Sequence, residues 1–240
     1  NTSDEIIVFS NEENPFYNRV LLPEYMTGEF TWESLLKIKS DGMSQLNITM
    51  KSNVAIENVN TTEKTITDNR GTVHQFDMLI MATGSRPFIP ENAQLHLPGR
   101  FTIRKKTDAD KLKDYLDETN LPAEEQHVVI VGGGLLGLEL AAALKHKKVK
   151  ITIIQRASRL MERQLDRISS KLLAEEVQQR DIQIYFDNEV STVFETDNAN
   201  ELEIALKSGR IITANAIVYT IGTIPNIELA KETGLACGRG

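Results

Sequence analysis

The segment VVIVGGGLLGLELAAAL, residues 128–144, carries the strongest structural signal in the chain. It begins with four β-branched residues, Val128–Val131, and runs directly into Gly132-Gly133-Gly134. Gly137 completes a G-x-G-x-x-G pattern, and the Leu- and Ala-rich run 138–144 follows without a proline. A strand, a glycine turn and a helix in this order are the context that the dinucleotide-binding fingerprint requires.

The glycines of this pattern have separate structural tasks. Gly132 makes the tight turn out of the strand, Gly134 allows a pyrophosphate to approach the backbone, and Gly137 allows the helix to pack closely on the strand. The unpaired N–H groups and the positive dipole at the helix start then face the anionic ligand. The remaining residues of the loop are Gly133, Leu135 and Leu136. A glycine-rich turn in an unrelated α/β domain is the alternative, but both flanks of the motif favour nucleotide binding.

Length and composition describe an ordinary globular protein with an acidic balance. The 240 residues are 40% hydrophobic and 25% charged, which allows one large or two modest domains. The net charge of −7 argues against a nucleic acid partner and supplies no basic surface for a membrane. The single cysteine, Cys237, excludes a disulfide or a cysteine-ligated cluster within the chain and is typical of a cytoplasmic protein. No apolar run approaches the ~20 residues that span a bilayer.

The end of the second strand of the glycine-loop unit bears on the choice of coenzyme. Val149–Ile154 is predicted to be that strand, and an NAD site places a carboxylate after it, on the ribose 2′-OH. Gln155 stands there instead, and Arg156 and Arg159 follow. Guanidinium groups can bind a 2′-phosphate bidentately. The residues therefore favour NADP over NAD, with the alternative that both arginines are exposed loop residues.

Two residues near the start of the chain are candidate ligand contacts. Glu12 follows a predicted strand at 5–9, where a dinucleotide fold holds an adenosine ribose through its hydroxyls. Taken alone, Glu12 is better explained as a solvated loop carboxylate. Arg19 lies in the irregular segment 14–28, where contact with a phosphate or ring face and a plain surface position are equally good interpretations.

A strand followed by G-x-x-P occurs twice. Asp77–Met81 is predicted to be a buried strand that ends in Ala82-Thr83-Gly84-Ser85-Arg86-Pro87, and Ala216–Thr220 leads in the same way into Ile221-Gly222-Thr223-Ile224-Pro225. Such loops at strand ends are where α/β folds bind ligands. Between the two, the pattern predicts a long amphipathic helix over 161–177 and an antiparallel strand pair at 190–194 and 202–206.

These motifs resemble those of the FAD- and NAD(P)-dependent pyridine nucleotide–disulfide oxidoreductases. The resemblance covers essentially the whole chain and rests on DMLIMATGSRPFIP (77–90), GGGLLGLELAAAL (132–144) and VYTIGTIPN (218–226). Within that superfamily, NPFYNRVLLPEYMTGE (14–29) and LMERQLD (160–166) are most similar to the flavoprotein module of NAD(P)H-dependent nitrite reductase large subunits. Rubredoxin-reductase-like proteins and nitrate reductase electron-transfer flavoproteins are close relatives of that module.

The resemblance implies FAD and NAD(P)H as cofactors, with no catalytic side chain and no metal ligand. It implies an FAD site that comprises Glu12 at the adenosine ribose, Ala55 near adenine, Arg19 near the flavin, and Ala82, Thr83 and Gly84 along the cofactor. It implies an NAD(P) site that comprises Gly132, Gly134 and Gly137 at the pyrophosphate, Glu139 on the nicotinamide side, and Ile221 and Gly222 in the second loop.

The expected fold is α/β, with two Rossmann-like dinucleotide-binding units. The first, residues 1–121, is an FAD-binding unit that is incomplete at its N-terminus and lacks its C-terminal return, and the second, residues 122–240, binds NAD(P). The family's first G-x-G-x-x-G is expected before Asn1 and its late G-D motif after Gly240, so the isolated chain is expected to hold FAD weakly and to be impaired as an enzyme. Because no C-x-x-C or C-x-x-x-x-C pair is present, disulfide reductase chemistry has no support.

The resemblance implies transfer of hydride from NAD(P)H to FAD and of electrons from FAD to an acceptor domain or protein. In nitrite reductases the acceptor is a siroheme and iron–sulfur centre, and the cysteine ligands for it are absent from this chain. The resemblance also allows a homodimer. Two alternatives stay open: an NAD(P)H-dependent reductase of rubredoxin or of another electron-transfer protein, and a nucleotide-binding module without catalysis.

Overall fold

The strands and helices of the protein lie mostly where the hydrophobic pattern places them. The structure, a computed structural model, describes residues 4–38, 40–198 and 200–238. In chain order the strands are β1 Ile6–Ser10, β2 Ile48–Ser52, β3 Ile56–Asn60, β4 Thr65–Asp68, β5 Val73–Gln75, β6 Ser85–Pro87, β7 Arg100–Thr102, β8 His127–Val131, β9 Lys150–Ile154, β10 Ile182–Tyr185, β11 Val190–Glu195, β12 Leu202–Leu206, β13 Ile211–Ala214, β14 Ala216–Tyr219 and β15 Thr223–Pro225. The α-helices are α1 Leu22–Met26, α2 Trp32–Leu35, α3 Ser40–Gln45, α4 Lys106–Glu118, α5 Leu135–His146, α6 Arg167–Gln179 and α7 Glu228–Glu232.

The chain forms two compact units, and both are discontinuous in sequence. Of the described residues, the first unit contains 4–18, those between 32 and 86, and 224–238, and the second contains 19–31 and those between 87 and 223. This division differs from the predicted boundary between residues 121 and 122. The physical reason is that β7 pairs with β14, so the segment that leads into the glycine-loop strand already belongs to the sheet of the second unit.

The second unit is built on a five-stranded parallel sheet. Its strand order is β10-β9-β8-β14-β7, with β8 at the centre. Val128, Val129 and Ile130 of β8 are completely buried, as expected for a parallel strand covered on both faces. In register, Val131 lies opposite Ile154 on one side and Tyr219 on the other. The loops that follow β9, β8 and β14 therefore leave the sheet at the same edge.

The two faces of this sheet are covered differently. Helix α5 packs on β8 and β9, and α1 packs in turn on α4 and α5. A separate antiparallel sheet of β11, β12 and β13 shares a hydrophobic cluster with residues of the five-stranded sheet. The cluster includes Val129, Ile154, Ile217 and Tyr219 of the parallel sheet and Val190, Val193, Leu202 and Ile204 of the antiparallel one. The predicted antiparallel strand pair at 190–194 and 202–206 is thus confirmed.

The first unit contains smaller sheets. Strands β1 and β2 form a parallel pair, and β3, β4 and β5 form an antiparallel meander. Asp68 organises the turn of the meander because its carboxylate accepts hydrogen bonds from the backbone N–H groups of Arg70 and Thr72, each at 2.9 Å, and contacts His74 at 3.0 Å. These contacts, with the His74 hydrogen bond as the largest contribution, lower the pKa of Asp68 to about 2.

One predicted element is absent from this structure, and another begins later than predicted. Residues 77–81 are not a strand, and the side chains of Met78 and Ile80 are 88% and 89% exposed. An apolar parallel strand needs hydrogen-bonded neighbours, and among the described residues no strand pairs with this segment. The helix predicted over 161–177 begins only at Arg167, because Met161 has a left-handed φ of 48° and Asp166 caps the helix through the N–H of Ser169.

Within the described ranges, no helix is long and apolar enough to cross a membrane.

A buried histidine joins three strands of the second unit. The ring of His127 on β8 donates from Nδ1 to the Thr213 carbonyl at 2.7 Å and accepts at Nε2 from the Thr152 hydroxyl at 2.9 Å. Burial disfavours the charged ring and lowers the pKa of His127 to about 4. The neutral ring therefore belongs to the folded state, whereas an unfolded histidine has a pKa of about 6.5.

We expect His127 to make the protein less stable in mild acid. Between pH 6.5 and 4 the unfolded chain binds a proton that the folded chain does not, so the free energy of unfolding should fall by on the order of 2–3 kcal/mol as the pH is lowered. Urea unfolding of wild type and His127→Gln at several pH values measures this contribution. The stability difference between the two proteins should change across that window, and His96→Gln is the control substitution at an exposed histidine. Parallel curves for wild type and His127→Gln would contradict the assignment.

Candidate functional site

The turn between β8 and α5 depends on glycine at two points of close approach. Gly132 has φ of +114°, and a Cβ atom there would lie 2.7 Å from the Thr220 carbonyl oxygen. A Cβ at Gly137 would collide with the Gly132 carbonyl and lie 2.7 Å from Thr220 Oγ1. These contacts hold the first turn of α5 against the ends of β8 and β14, as the fingerprint predicts.

Gly134 differs from the other two because its missing side chain leaves open space. A Cβ atom at Gly134 would have no neighbour within 4 Å. Gly134 is the N-cap of α5, with no side chain to bond the first N–H groups, and the first turn carries no acidic residue. The next residue, Leu135, is 57% exposed. The helix therefore presents its positive end to an uncovered cradle, which is the arrangement that binds a pyrophosphate.

Gln155 links the end of β9 to the glycine loop. Its side chain is buried, and its Oε1 accepts a hydrogen bond from the Gly133 N–H at 2.7 Å. Its Nε2 donates to the Arg159 carbonyl at 3.1 Å and to Glu162 Oε2 at 3.3 Å. The sequence places Gln155 where an NAD site has the carboxylate that binds the ribose 2′-OH. In this structure, its amide hydrogen-bonds to the glycine loop and to the loop after β9.

The two arginines after Gln155 lie in different environments. Arg156 is exposed. Arg159 is half-buried, its Nη2 donates to the Glu162 carbonyl at 2.8 Å, and its Nε is buried without a hydrogen-bond partner. Sequence reasoning assigned the same role to both arginines. In the structure, only Arg159 is bonded to its own loop, through the Glu162 carbonyl.

Thr220 is a site residue that sequence reasoning missed. It follows β14, its N–H donates to the Val131 carbonyl at 2.8 Å, and its hydroxyl lies 3.1 Å from that oxygen and 3.2 Å from the Gly132 carbonyl. The signal was its position directly before Ile221 and Gly222. Ile221 is 37% exposed, and the Gly222 carbonyl accepts from the Phe88 N–H at 2.9 Å.

Glu139 lies on α5, in the turn after the glycine loop. It is half-buried, and burial raises the pKa of its carboxyl, with a further contribution from the negative charge of Glu24. The structure thus places the residue predicted for the nicotinamide side on the same helix as the pyrophosphate cradle.

The residues predicted for FAD are divided between the two units. Glu12, Ala55, Ala82, Thr83 and Gly84 lie in the first unit, and Arg19 lies in the second. Glu12 follows β1, and its Oε2 accepts a hydrogen bond from the Tyr17 hydroxyl at 2.7 Å. The Ala55 backbone bonds to Asn69 through both its N–H, at 3.3 Å, and its carbonyl, at 2.8 Å. Arg19 Nη1 donates to the Arg104 carbonyl at 2.9 Å.

The loop that contains Thr83 is hydrogen-bonded to residues near the C-terminal end of the described chain. Thr83 Oγ1 donates to the Asn226 carbonyl at 2.6 Å, and Asn226 Nδ2 donates to the Thr83 carbonyl at 2.8 Å. Arg86 adds bonds to Asn226 Oδ1 at 2.9 Å and to Glu228 at 2.8 Å. Ala82, Thr83 and Gly84 themselves are exposed.

A parallel sheet with an uncovered glycine cradle at the end of its central strand defines a dinucleotide-binding protein of the Rossmann type. The chain belongs to the pyridine nucleotide–disulphide oxidoreductase family, whose model matches residues 1–240. The predicted α/β fold and superfamily are thereby confirmed.

Three relatives illustrate the comparison. The assimilatory nitrate reductase electron transfer subunit of Bacillus subtilis (strain 168) is 28% identical, over 98% of this chain and 30% of its own length. The NAD(P)H nitrite reductase of the same organism is 31% identical, over 98% of this chain and 28% of its length. The chain thus spans less than a third of both curated proteins. In fold, a ferredoxin reductase from Rhodopseudomonas palustris matches with a TM-score of 0.89 at 21% identity, over 99% of this chain and 57% of its own.

We expect Gly134→Val to fold normally and to lose nucleotide affinity. The valine side chain enters open space without backbone strain, but it occupies the space that a pyrophosphate needs. Calorimetric titration with NADH and NADPH should show affinity reduced by at least about tenfold, equivalent to ~1.4 kcal/mol. Unchanged affinity in a folded variant would contradict the assignment of the cradle.

Gly137→Ala is the matched comparison, because its Cβ meets protein rather than open space. Overpacking against the Gly132 carbonyl should lower the free energy of unfolding by about 1–3 kcal/mol. Thermal unfolding of the two variants side by side therefore separates loss of a ligand cradle from loss of packing.

Proposed function

We propose that this chain forms the flavoprotein module of an NAD(P)H oxidoreductase of the nitrite reductase large-subunit type. The observation that carries the proposal is the open cradle at Gly134, at the N-terminus of α5 and at the edge where the loops after β8, β9 and β14 meet. The family and the two curated relatives, both named for nitrate or nitrite reduction, support the choice of reaction class.

The nucleotide half of the proposal assigns roles to residues of the second unit. The first N–H groups of α5 would bind the pyrophosphate, with Gly134 providing the space. Gln155 keeps the loop in place through the Gly133 N–H. Thr220 holds the turn at Gly132, which leaves Ile221 exposed beside it for the second loop's contact with the coenzyme.

The flavin half assigns roles to residues of the first unit. Glu12 stands directly after a parallel strand, the position from which an acid binds an adenosine ribose, and its bond from Tyr17 fixes one carboxylate oxygen. Thr83 and Gly84 form an exposed loop that Asn226 holds in place. These residues fit the adenosine and loop contacts of FAD. Bound FAD would supply the chemistry, by accepting hydride from NAD(P)H and releasing electrons to an acceptor.

The electron acceptor is proposed to be a further redox domain or protein. The name of one relative, an electron transfer subunit, describes such a role for that protein. A dithiol within this chain is excluded as an intermediate carrier, because Cys237 is its one cysteine. The glycine loop of the second unit is proposed to bind and orient the nicotinamide coenzyme.

Anaerobic reduction of added FAD tests the proposal. FAD binding is followed by quenching of flavin fluorescence with the cofactor in excess, and NADPH or NADH should then bleach the absorbance of the bound flavin. Gly134→Val should bleach normally with dithionite but at least about tenfold more slowly with either coenzyme. If the coenzymes bind and the flavin stays oxidised, the protein is a nucleotide-binding module without catalysis and the proposal fails.

A further inference from the structure

A cavity of about 340 Å³ lies beside the edge strand β7 and is lined by β7, α4 and the segment 95–99. Arg100 and Tyr115 line it, and both belong to the second unit. Its volume is within the range of sites that hold small ligands. Part of its wall is apolar and consists of Leu95, Leu97, Pro98 and Phe101.

The cavity is separate from the glycine cradle. Arg100 begins β7 and lies in register with Ile217 of β14, which in turn lies in register with Val129 of β8. The glycine loop instead follows the end of β8 at Val131, and no residue of that loop lines the cavity. A ligand in this cavity would therefore leave the proposed coenzyme site open.

The guanidinium of Arg100 is a buried cation with an unused donor. The residue is only 3% exposed. Its Nη1 donates to the Pro98 carbonyl at 2.9 Å and to Glu195 Oε1 at 3.4 Å, and its Nη2 donates to the Val193 carbonyl at 3.2 Å. Its Nε is buried without a hydrogen-bond partner. Because the Glu195 side chain is 55% exposed and its contact is long, it offsets the buried charge only weakly.

Tyr115 brings a second unused donor to the same place. Its hydroxyl is buried and has no hydrogen-bond partner within the described ranges. The hydroxyl lies against the backbone that leads into β7, since a Cβ atom on Gly99 would be 3.1 Å from Tyr115 Oη. Burial raises the pKa of Tyr115, and the nearby charge of Arg100 opposes this effect. The hydroxyl therefore keeps its proton and can donate it in a hydrogen bond.

These two donors specify the chemistry of a ligand. A buried donor without an acceptor is costly, and a buried charge without a counter-ion is more so. The two oxygens of one carboxylate can accept from Arg100 Nε and from the Tyr115 hydroxyl, and they supply the negative charge that Arg100 lacks. Lys111 also lines the cavity, but Asp114 and Glu118 offset its charge. Repulsion from these carboxylates disfavours a multiply charged anion such as a nucleotide.

We propose that this cavity binds a small monocarboxylate with an apolar body, such as an aliphatic or aromatic acid. The carboxylate accepts hydrogen bonds from Arg100 and Tyr115, and the apolar body packs against Leu97 and Phe101. Both donor atoms lie just beneath the cavity surface, so the half-buried Tyr115 ring turns as the ligand enters. The site is independent of the proposed function, because none of the proposed coenzyme residues lines it.

Ligand-observed NMR and calorimetry with benzoate and 4-methylpentanoate test the site. Both acids should bind with a dissociation constant on the order of 1 mM or lower. Benzamide and 4-methylpentanamide should bind at least about tenfold more weakly, because they lack the charge that pairs with Arg100. Saturating NADH should leave the affinity for benzoate unchanged, since the two sites share no residue.

Tyr115→Phe removes one of the two donors and keeps the aromatic ring. It should weaken benzoate binding at least about tenfold, because a hydrogen bond to a charged group is lost. It should not lower the melting temperature, since the hydroxyl has no partner in the protein. Tyr185→Phe is the matched control: it removes a hydroxyl from a tyrosine of the same unit that does not line the cavity. This control should keep the wild-type affinity.

Several outcomes would overturn the inference. Amides that bind as tightly as the acids, or unchanged benzoate affinity in Tyr115→Phe, would exclude the carboxylate contact. Acetate or inorganic phosphate that binds as tightly as benzoate would show an anion site with no place for an apolar body. Displacement of benzoate by NADH would place the acid in the coenzyme cradle. If neither acid binds at concentrations on the order of 10 mM, the cavity holds only water. None of these results bears on the coenzyme titrations, so the proposed function stands or fails separately.

Discussion

The absence of two side chains, at Gly132 and Gly137, is the constraint on which the second unit depends. The Gly132 carbonyl occupies the position where a Cβ of Gly137 would be, and Thr220 closes the same contact from β14. The backbone of Gly137 lies directly against the backbone of Gly132, and a side chain on Gly137 would prevent this contact. The contact fixes the start of α5 close to the end of β8. The direction in which the helix presents its N–H groups follows from this contact.

Gln155 extends that constraint to the neighbouring strand. Through one buried amide, the end of β9 holds the Gly133 N–H and also the Arg159 carbonyl, so the glycine loop and the loop before α6 cannot shift independently. A carboxylate at this position would face the Glu162 carboxylate and the Arg159 carbonyl oxygen, which is unfavourable for like partial charges. The residue identity is thus explained by the packing of the two loops.

Sequence patterns correctly predicted the elements that depend on neighbouring residues. They failed for elements whose structure depends on residues that are distant in the chain. The β8–α5 turn is encoded by neighbouring residues, and it was predicted correctly. Asp77–Met81 has the composition of a buried strand, but strand formation requires partners that composition does not reveal. The residues that line the pocket beside α6 were only partly suggested by the sequence: Arg159 follows the strand, whereas Arg167 and Lys171 reach it through the packing of α6. The sequence alone does not reveal whether the side-chain amide of Gln155 is buried or faces solvent.

The discontinuity of the two units has a consequence for how the protein is made. Thr83 and Asn226 bond to each other across 143 residues of chain, and the first unit includes residues on both sides of that interval. Closing such a long loop costs entropy that later contacts must offset. On the ribosome, the sheet of the second unit has all its strands once residue 219 has emerged, whereas the first unit waits for 224–238. Until those residues emerge, the loop at Thr83 lacks its bonds to Asn226, and an incompletely folded unit of this kind is prone to misfold.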